Sequence, residues 1–423
     1  MSSARRRLRR SLVMVLFVVV IMGQGSMVTG SELRGSITLG WKGTLEAMEI
    51  TKGMLEVFKE KHPHLEVDFV YLMAGGGSWQ EKLKTMTLAG TPPDVTKMEY
   101  QVGMPMAIEG LMLPLDELAA KDREFRLDAY FPVALEAHSY RGRLYGLPQE
   151  ANLGAVFYNE EMFEQAGLFS PTGDWDHDDI VEWGKKLARD IDGDGLNDTF
   201  AIDYSWGRTS MEPHIQAFNG AGYLTNDGSR SRLGDPGFIQ AMQWVSDTVH
   251  SWGIANNPRR SRGSFSRGNV ALFYNGPWLI TGFRSAQFRW DAALTPLGPK
   301  GRGTRLSSDG LQISQQTKNP EAAWELAKFM AGQEVQMALA KAGYLIPSLR
   351  RLAQSQAWRV SPPDYEPFIQ SAAWSLPEVI VPQLDEVRRL YDAALTALWL
   401  REQTPQAAFG QAAALINAVL QEK

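Results

Sequence analysis

Apolar and polar positions along this chain follow two alternating periods. Residues 36–41 alternate after Gly35 and predict a first strand. Leu45, Met48, Leu55 and Phe58 recur near every 3.6 residues, and Thr44 stands where a cap belongs. An amphipathic helix is therefore predicted to about Lys61, with Pro63 stopping it. Residues 65–71 predict a second strand, Trp79 opens a helix to about Ala89, and Gly90-Thr-Pro-Pro93 breaks it. Residues 94–98 predict a third strand. Strand–helix–strand–helix–strand implies a right-handed, mostly parallel α/β sheet.

Further on, residues 147–154 interrupt two apolar stretches with polar groups, which suits a hinge, and residues 156–158 begin a new sheet. Helices are predicted over 174–189 and 236–252, and a strand over 200–202. Residues 270–274 are an apolar run between Gly268 and Asn275-Gly276, the pattern of a strand buried on both faces. Pro277 suits the first position of a helix. Trp278 then stands at a helix head just past a strand end, the edge at which open α/β sheets bind ligands. Simple packing over the strand end is the alternative. Residues 292–297 are expected to cross back, 311–314 to form a strand, and 343–347 to cross a third time. Leu384, Val387, Tyr391, Ala394 and Leu398 mark one helical face, and Thr404-Pro405 starts the last helix. A chain of 423 residues is too long for one core. The expected organisation is a leader at 1–30, one lobe from 31–147 plus 297–345, and a second from 148–296 plus 346–423. Several linkers between two lobes make a hinge that can close over a ligand.

The N-terminus changes the setting. Arg5, Arg6, Arg7, Arg9 and Arg10 precede an apolar run over 12–22 and small residues up to Ser31. This is signal-peptide architecture, and the run is short for a membrane span. A retained anchor is the alternative. The leader implies a periplasmic protein, and the absence of cysteine excludes a lipid-anchored N-terminal Cys, disulfides and thiolate catalysis. Without the leader, which carries five arginines and no acid, the formal charge falls from −5 to −10. So acidic a chain is a poor general nucleic-acid binder. The cluster Arg259, Arg260, Arg262 and Arg267 reads as a solvated loop.

Candidate chemistry comes in two groups. Asp190, Asp192, Asp194 and Asp198 take positions one, three, five and nine of an EF-hand-type loop, with Gly195 at six and the Leu196 carbonyl at seven. Structural calcium is one expectation. An acidic turn is the other, because position twelve is Ala201 and a further ligand, such as nearby Asp203, would be needed. The second group is aromatic. Among 13 tryptophans, Trp41, Trp79, Trp206, Trp278 and Trp374, together with Tyr344, fall where predicted strands end or loops begin. Glu99, Glu150, Asn152 and Asp309 lie at similar places. Aromatic faces stack on the C–H faces of sugars, while acids and amides pair their hydroxyls. The sequence shows no His-Glu-x-x-His and no Gly-x-Ser-x-Gly, and its adjacent acid pairs are poor candidates for acid–base work.

Several segments in order carry a resemblance. The first helix ends Phe58-Lys-x-x-x-Pro63, and Gly90-Thr-Pro-Pro-Asp-Val95 follows the second. Gly142-Arg-Leu-Tyr-Gly-Leu-Pro148 precedes Tyr158-Asn-Glu160, and Phe273-Tyr-Asn-Gly-Pro-Trp278 precedes Ser308-Asp-Gly310 and Lys318-Asn-Pro-Glu-Ala-Ala-Trp324. Together they resemble the family 1 extracellular solute-binding proteins of ABC importers across nearly the whole mature chain. The resemblance implies a type II periplasmic-binding-protein fold, with the ligand cleft between two α/β lobes. It implies a non-enzymatic, monomeric protein that delivers a sugar or oligosaccharide to the membrane permease subunits. Glu99, Glu150, Trp278 and Asp309-Gly310 match ligand-contacting positions of the family, although an Asp is usual where this chain has Glu99. Two other functions are weighed against this one. The first is a binding protein for glycerol-3-phosphate, a glycerophosphodiester or another polyol, which would use Arg259–Arg267 and the glycines at 75–77. The second is a secreted glycoside hydrolase, which would need two carboxylates at a fixed separation.

Overall fold

The computed structural model describes residues 33–73, 78–205, 207–258 and 263–422. The leader, the glycines at 75–77, Trp206, and Arg259, Arg260 and Arg262 lie outside the described residues. In chain order the strands that matter here are β1 (Gly35–Trp41), β2 (Leu65–Tyr71), β3 (Val95–Glu99), β4 (Gly146–Pro148), β5 (Asn152–Leu153) and β6 (Ala155–Asn159). They continue with β7 (Phe200–Ile202), β8 (Val270–Asn275), β9 (Trp290–Ala293), β10 (Thr304–Ser307), β11 (Asp309–Ile313) and β12 (Ser375–Leu376).

Local chemistry sets the helix starts. The Thr44 hydroxyl accepts the Ala47 N–H at 3.3 Å at the head of the helix Leu45–Lys61. Ser78 does the same for Glu81 before Trp79–Leu88. Asp176 and Asp179 form a capping box at the head of His177–Leu187. Pro277 opens a short 3-10 turn, Pro277–Leu279, that runs into the helix Ile280–Phe283.

The first lobe is built on a five-stranded sheet, β2-β1-β3-β11-β4, and the second on a four-stranded one, β9-β6-β8-β7. Both are mixed rather than mostly parallel. β1 runs parallel to β2 and β3, but β11 is antiparallel to both β3 and β4. In the second lobe only β8 and β7 are parallel. The reversal follows from the route: β11 enters the first sheet directly from the interlobe crossing, so it runs against strands that leave toward it. Interior positions such as Leu39, Val95, Leu311, Ile313, Phe157 and Ala271 are fully buried, as double-faced strands require.

A small third sheet, β12-β10-β5, carries all three crossings. The second and third crossings therefore lie later than the sequence pattern indicated. Residues 292–297 stay in the second lobe, because β9 pairs with β6 and the Leu297 N–H donates to the Trp175 carbonyl at 2.8 Å. Residues 343–347 run beside the first crossing, with the Ala151 N–H on the Ile346 carbonyl and the Ile346 N–H on Asn152 Oδ1, both at 2.9 Å. The chain then fills the seam with Trp358, Tyr365 and Phe368, the last ring 5.6 Å from Phe157 of the second lobe. Only after this does it cross, at β12. No helix among the described residues is long and apolar enough to cross a membrane.

Candidate functional site

The strand ends of the first lobe gather five charges. Lys42, the residue after β1, reaches Glu99 Oε1 at 2.6 Å and Asp309 Oδ2 at 2.8 Å. Lys97 on β3 reaches the same Asp309 oxygen at 2.6 Å and stands 3.8 Å from Glu150 Oε2. Asn152 Nδ2 donates to Glu150 Oε1 at 2.8 Å, and the Asp309 N–H donates to that oxygen at 3.3 Å. Register explains the gathering. Asp309 is paired with Glu99 across the antiparallel β11–β3 ladder, which puts like charges on one face, where they repel unless a cation lies between them. The two lysines supply it. Their ammonium groups also lie 5.7 Å from ring centroids, Lys42 over Trp79 and Lys97 over Trp41.

Burial and neighbours push these groups apart. Burial raises Asp309, but Lys42 and Lys97 outweigh it and hold the carboxyl well below its usual range. Burial raises Glu150, and the charge of Asp309 raises it further, with Lys97 and Lys42 only partly opposing. Burial would lower Lys42, but Asp309, Glu99 and Glu150 raise it above its ordinary value, so it stays an ammonium. Behind the cluster His138 is fully buried and lowered to about 4 by desolvation, with Nε2 3.0 Å from Ser308 Oγ.

A raised carboxyl favours the fold while it is protonated. The contribution of Glu150 is complete below its ordinary value near 4.5 and is lost as the pH climbs toward its folded value. Glu150→Gln, which fixes the neutral form, is expected to flatten the fall in melting temperature between pH 5 and 9. Parallel curves for variant and wild type would show that Glu150 is ionised throughout.

The second lobe brings Trp278 to the crossings. β8 ends at the fully buried Asn275, whose Oδ1 accepts the Gly276 N–H at 2.8 Å while Nδ2 is buried without a partner among the described residues. The Trp278 ring lies on Gly276 so closely that a Cβ there would come within 2.0 Å of it. The indole itself is half-buried. The following turn meets the first lobe: a Cβ on Gly343 would lie 3.1 Å from Arg284 Nη1 and 3.3 Å from Thr281 Cγ2. Half-buried Tyr344 is the next residue. Half-buried Trp374 precedes β12, its indole N–H buried without a partner among the described residues.

The structure thus brings Trp41, Trp79, Glu99, Glu150, Asn152 and Asp309 into one cluster, with Trp278, Tyr344 and Trp374 along the crossings. Within it the roles differ. Trp41 is 1% exposed, packed against Tyr71 and Gly43, so it serves the wall of the site and presents no open face. Gly310 is turned away: a Cβ there would come within 2.5 Å of the His138 ring, so glycine makes room for the imidazole. Trp206 lies outside the described residues. The sequence reading passed over Lys42 and Lys97. Lys97 had a signal of its own, a cation in the middle of an otherwise central strand.

The acidic loop is separate and exposed. Carboxylate oxygens of Asp190, Asp192 and Asp194 lie within 4.8 Å of one another. Asp190 accepts the Gly193 and Gly195 N–H groups at 2.7 and 2.8 Å, and Asp198 accepts that of Ile191 at 2.8 Å. The Leu196 N–H donates to Asp194 at 2.9 Å. Asp203 does not complete the set: it is buried, taking the Ser205 and Phe265 N–H groups and Asn256 Nδ2. Chelation tests the calcium expectation. A fall in melting temperature with EDTA is the result expected of a structural ion, and no change leaves a turn held by its own hydrogen bonds.

Two lobes on mixed sheets, a three-strand hinge and a charged, aromatic site at the crossings define a hinged binding protein. Residues 42–337 match the profile of the bacterial extracellular solute-binding proteins, and the chain belongs to that family. It is 23% identical over 378 residues to a putative binding protein of Brucella abortus, covering 87% of this chain and 89% of that one. It is 24% identical over 356 residues to the galactooligosaccharide-binding protein of Bacillus subtilis, covering 81% and 80%. Its fold is similar to that of an ABC substrate-binding protein from Listeria monocytogenes in complex with cycloalternan, with a TM-score of 0.79, 21% identity, and coverage of 92% of this chain and all of that one.

Proposed function

We propose that this chain is the extracytoplasmic, non-enzymatic binding component of an ABC importer that takes a sugar or oligosaccharide between its lobes and delivers it to the permease. One observation carries the reading. Among the described residues, buried polar atoms without a partner include Glu99 Oε2, within the paired acids and lysines of the first lobe, and Asn275 Nδ2, three residues before the half-buried Trp278 of the second. Such atoms are costly unless a ligand satisfies them, and a sugar offers hydroxyls for them and a C–H face for the indole. The charged groups are mutually neutralised, so they present fixed hydrogen-bond partners. The leader and the family support work outside the cytoplasm, and hinge closure over the ligand supports recognition of the loaded form by the permease.

A thermal-shift screen of the mature chain against mono-, di- and trisaccharides tests this. A bound sugar at a hundred times its Kd is expected to stabilise the fold by about 2.7 kcal/mol. Incubation with the same sugars is expected to release no new reducing ends. Turnover would replace this reading with a hydrolase, and stabilisation by polyol phosphates alone would replace the sugar.

A further inference from the structure

On the second lobe a cavity of about 630 Å³ opens between the helix Pro236–His250 and the start of the helix Pro405–Gln421. Its lining comes from that lobe alone and includes Trp244, Trp252, Gln240, Gln243, Asp247 and Gln406. We propose that this cavity is a second carbohydrate site, which holds a neutral glycan chain on the outside of the protein. The site shares no residue with the charged cluster or the crossings, so it and the cleft can be tested separately.

The two indoles form a corner. Trp252 is 43% exposed, and its ring meets that of half-buried Trp244 at 71°, with centroids 6.5 Å apart. Rings at that angle cannot cover each other's faces as a stacked pair does, so apolar surface stays open to solvent. Both residues are anchored. The Trp244 ring lies edge-on to His177 at 4.7 Å and 4.9 Å from His214, two buried side chains of other helices. The Trp252 N–H donates to the Asp247 carbonyl at 2.8 Å, and Asn197 Nδ2 holds the next residue through the Gly253 carbonyl at 2.9 Å. A ligand therefore meets a surface that is already ordered, which lowers the entropic cost of binding.

The polar lining selects the class of ligand. Gln240 and Gln406 are exposed, and their amides have no hydrogen-bond partner among the described residues, so each offers donors and an acceptor. Gln243 Nε2 is spent on Asp247, 3.2 Å from both carboxylate oxygens, and Ser251 Oγ donates to the same group at 2.9 Å. Among the described residues no lysine or arginine lines the cavity. An acidic ligand would meet a carboxylate and no cation, and a purely apolar one would take water from the amides without replacing it. A neutral sugar suits both surfaces, with C–H faces for the indoles and hydroxyls for the amides. The volume lies within the range of about 300–1,000 Å³ usual for small-ligand pockets. The lining also lacks the arginine and methionine that are enriched at protein interfaces.

Affinity electrophoresis of the mature full chain tests this, in native gels that contain soluble starch, a galactan or a galactomannan, with polygalacturonate as the charged control. At least one neutral polysaccharide is expected to retard the wild type. Trp252→Ala is expected to weaken that retention about tenfold or more and Gln240→Ala about threefold, while both keep the cleft's affinity for short sugars in calorimetry. Trp278→Ala is expected to be retarded like the wild type. Ligand-free melting checks the fold of Trp252→Ala, and should that variant melt lower, Gln240→Ala alone decides, because its amide makes no bond that the fold would lose. No retardation by any neutral polysaccharide, retention by polygalacturonate alone, or unchanged retention in these two variants would overturn the proposal and leave the cleft reading in place. Retention lost in Trp278→Ala instead would assign it to the cleft, with the same consequence. Retention that depends on Trp252 in a chain that binds no short sugar would uphold this site and sink the proposed function.

Discussion

Replacing Asp309 by Ala is expected to cost the fold about 3–5 kcal/mol, the range for breaking a buried ion pair from one side. Asp309 is the first residue of β11, and its Oδ2 takes both Lys42 and Lys97. Their side chains are only 14% and 9% exposed, so without Asp309 two ammonium groups would lie in the wall short of a partner. Lys42 would keep Glu99. Lys97 would be left with Glu150, 3.8 Å away, and Glu150 would lose the neighbour whose charge raises it and would ionise more readily. That partial rescue places the expected cost at the lower end of the range. Sugar affinity should be lost as well, because the lysines would turn toward the remaining acids. The sign of the pH effect separates this from general damage. A carboxyl held below its ordinary value stabilises the fold above the usual carboxylate range, and that contribution disappears as the pH falls through its folded value. Wild-type and variant melting temperatures should therefore differ at pH 7 and converge in acid. Urea unfolding that shows the same stability for both at pH 7 would mean that the cluster does not depend on Asp309.

Much of this fold could be read from the chain because local chemistry and tertiary packing agree. Thr44 caps where a cap was expected, Thr404-Pro405 starts the last helix as its pattern indicated, and the breakers Gly90-Thr-Pro-Pro93 and Asn275-Gly276 fall at element ends. What misled was connectivity. Period and punctuation say that β9 is a strand, but not that its partner is β6, so the second crossing was expected about ten residues early. The third was expected about thirty residues early, because the seam formed by Trp358, Tyr365 and Phe368 exists only once two lobes meet. The same limit applies to the site. Acids at strand ends stand out individually. Pairing Asp309 with Glu99, and needing Lys42 and Lys97 to hold them together, is a property of register. Gly310 matched a ligand-contacting position by motif, yet its open side is filled by His138 from another element.

Trp278→Ala is expected to weaken ligand binding by about 2–4 kcal/mol, roughly thirtyfold or more, and to leave the fold nearly unchanged. The two halves of this expectation have separate causes. The ring is half-buried and lies on Gly276 rather than deep in the second-lobe core, which is built on β8 residues such as Ala271 and Leu272. Removing it therefore empties little of that core. Its exposed face stands beside the crossings that carry Glu150 and Asn152, so what is lost is a stacking surface on which a sugar ring would rest. A tryptophan that only sealed the strand end would give the opposite pattern, lower melting temperature with unchanged affinity. Gly276→Ala supplies an independent check, because it keeps the indole but pushes it away from its seat: the new Cβ would fall within 2.0 Å of the ring. If Trp278 acts by position, Gly276→Ala should also lose affinity in calorimetry, by less than Trp278→Ala. The double variant should then be no weaker than Trp278→Ala alone, because without the indole nothing remains for the methyl group to displace.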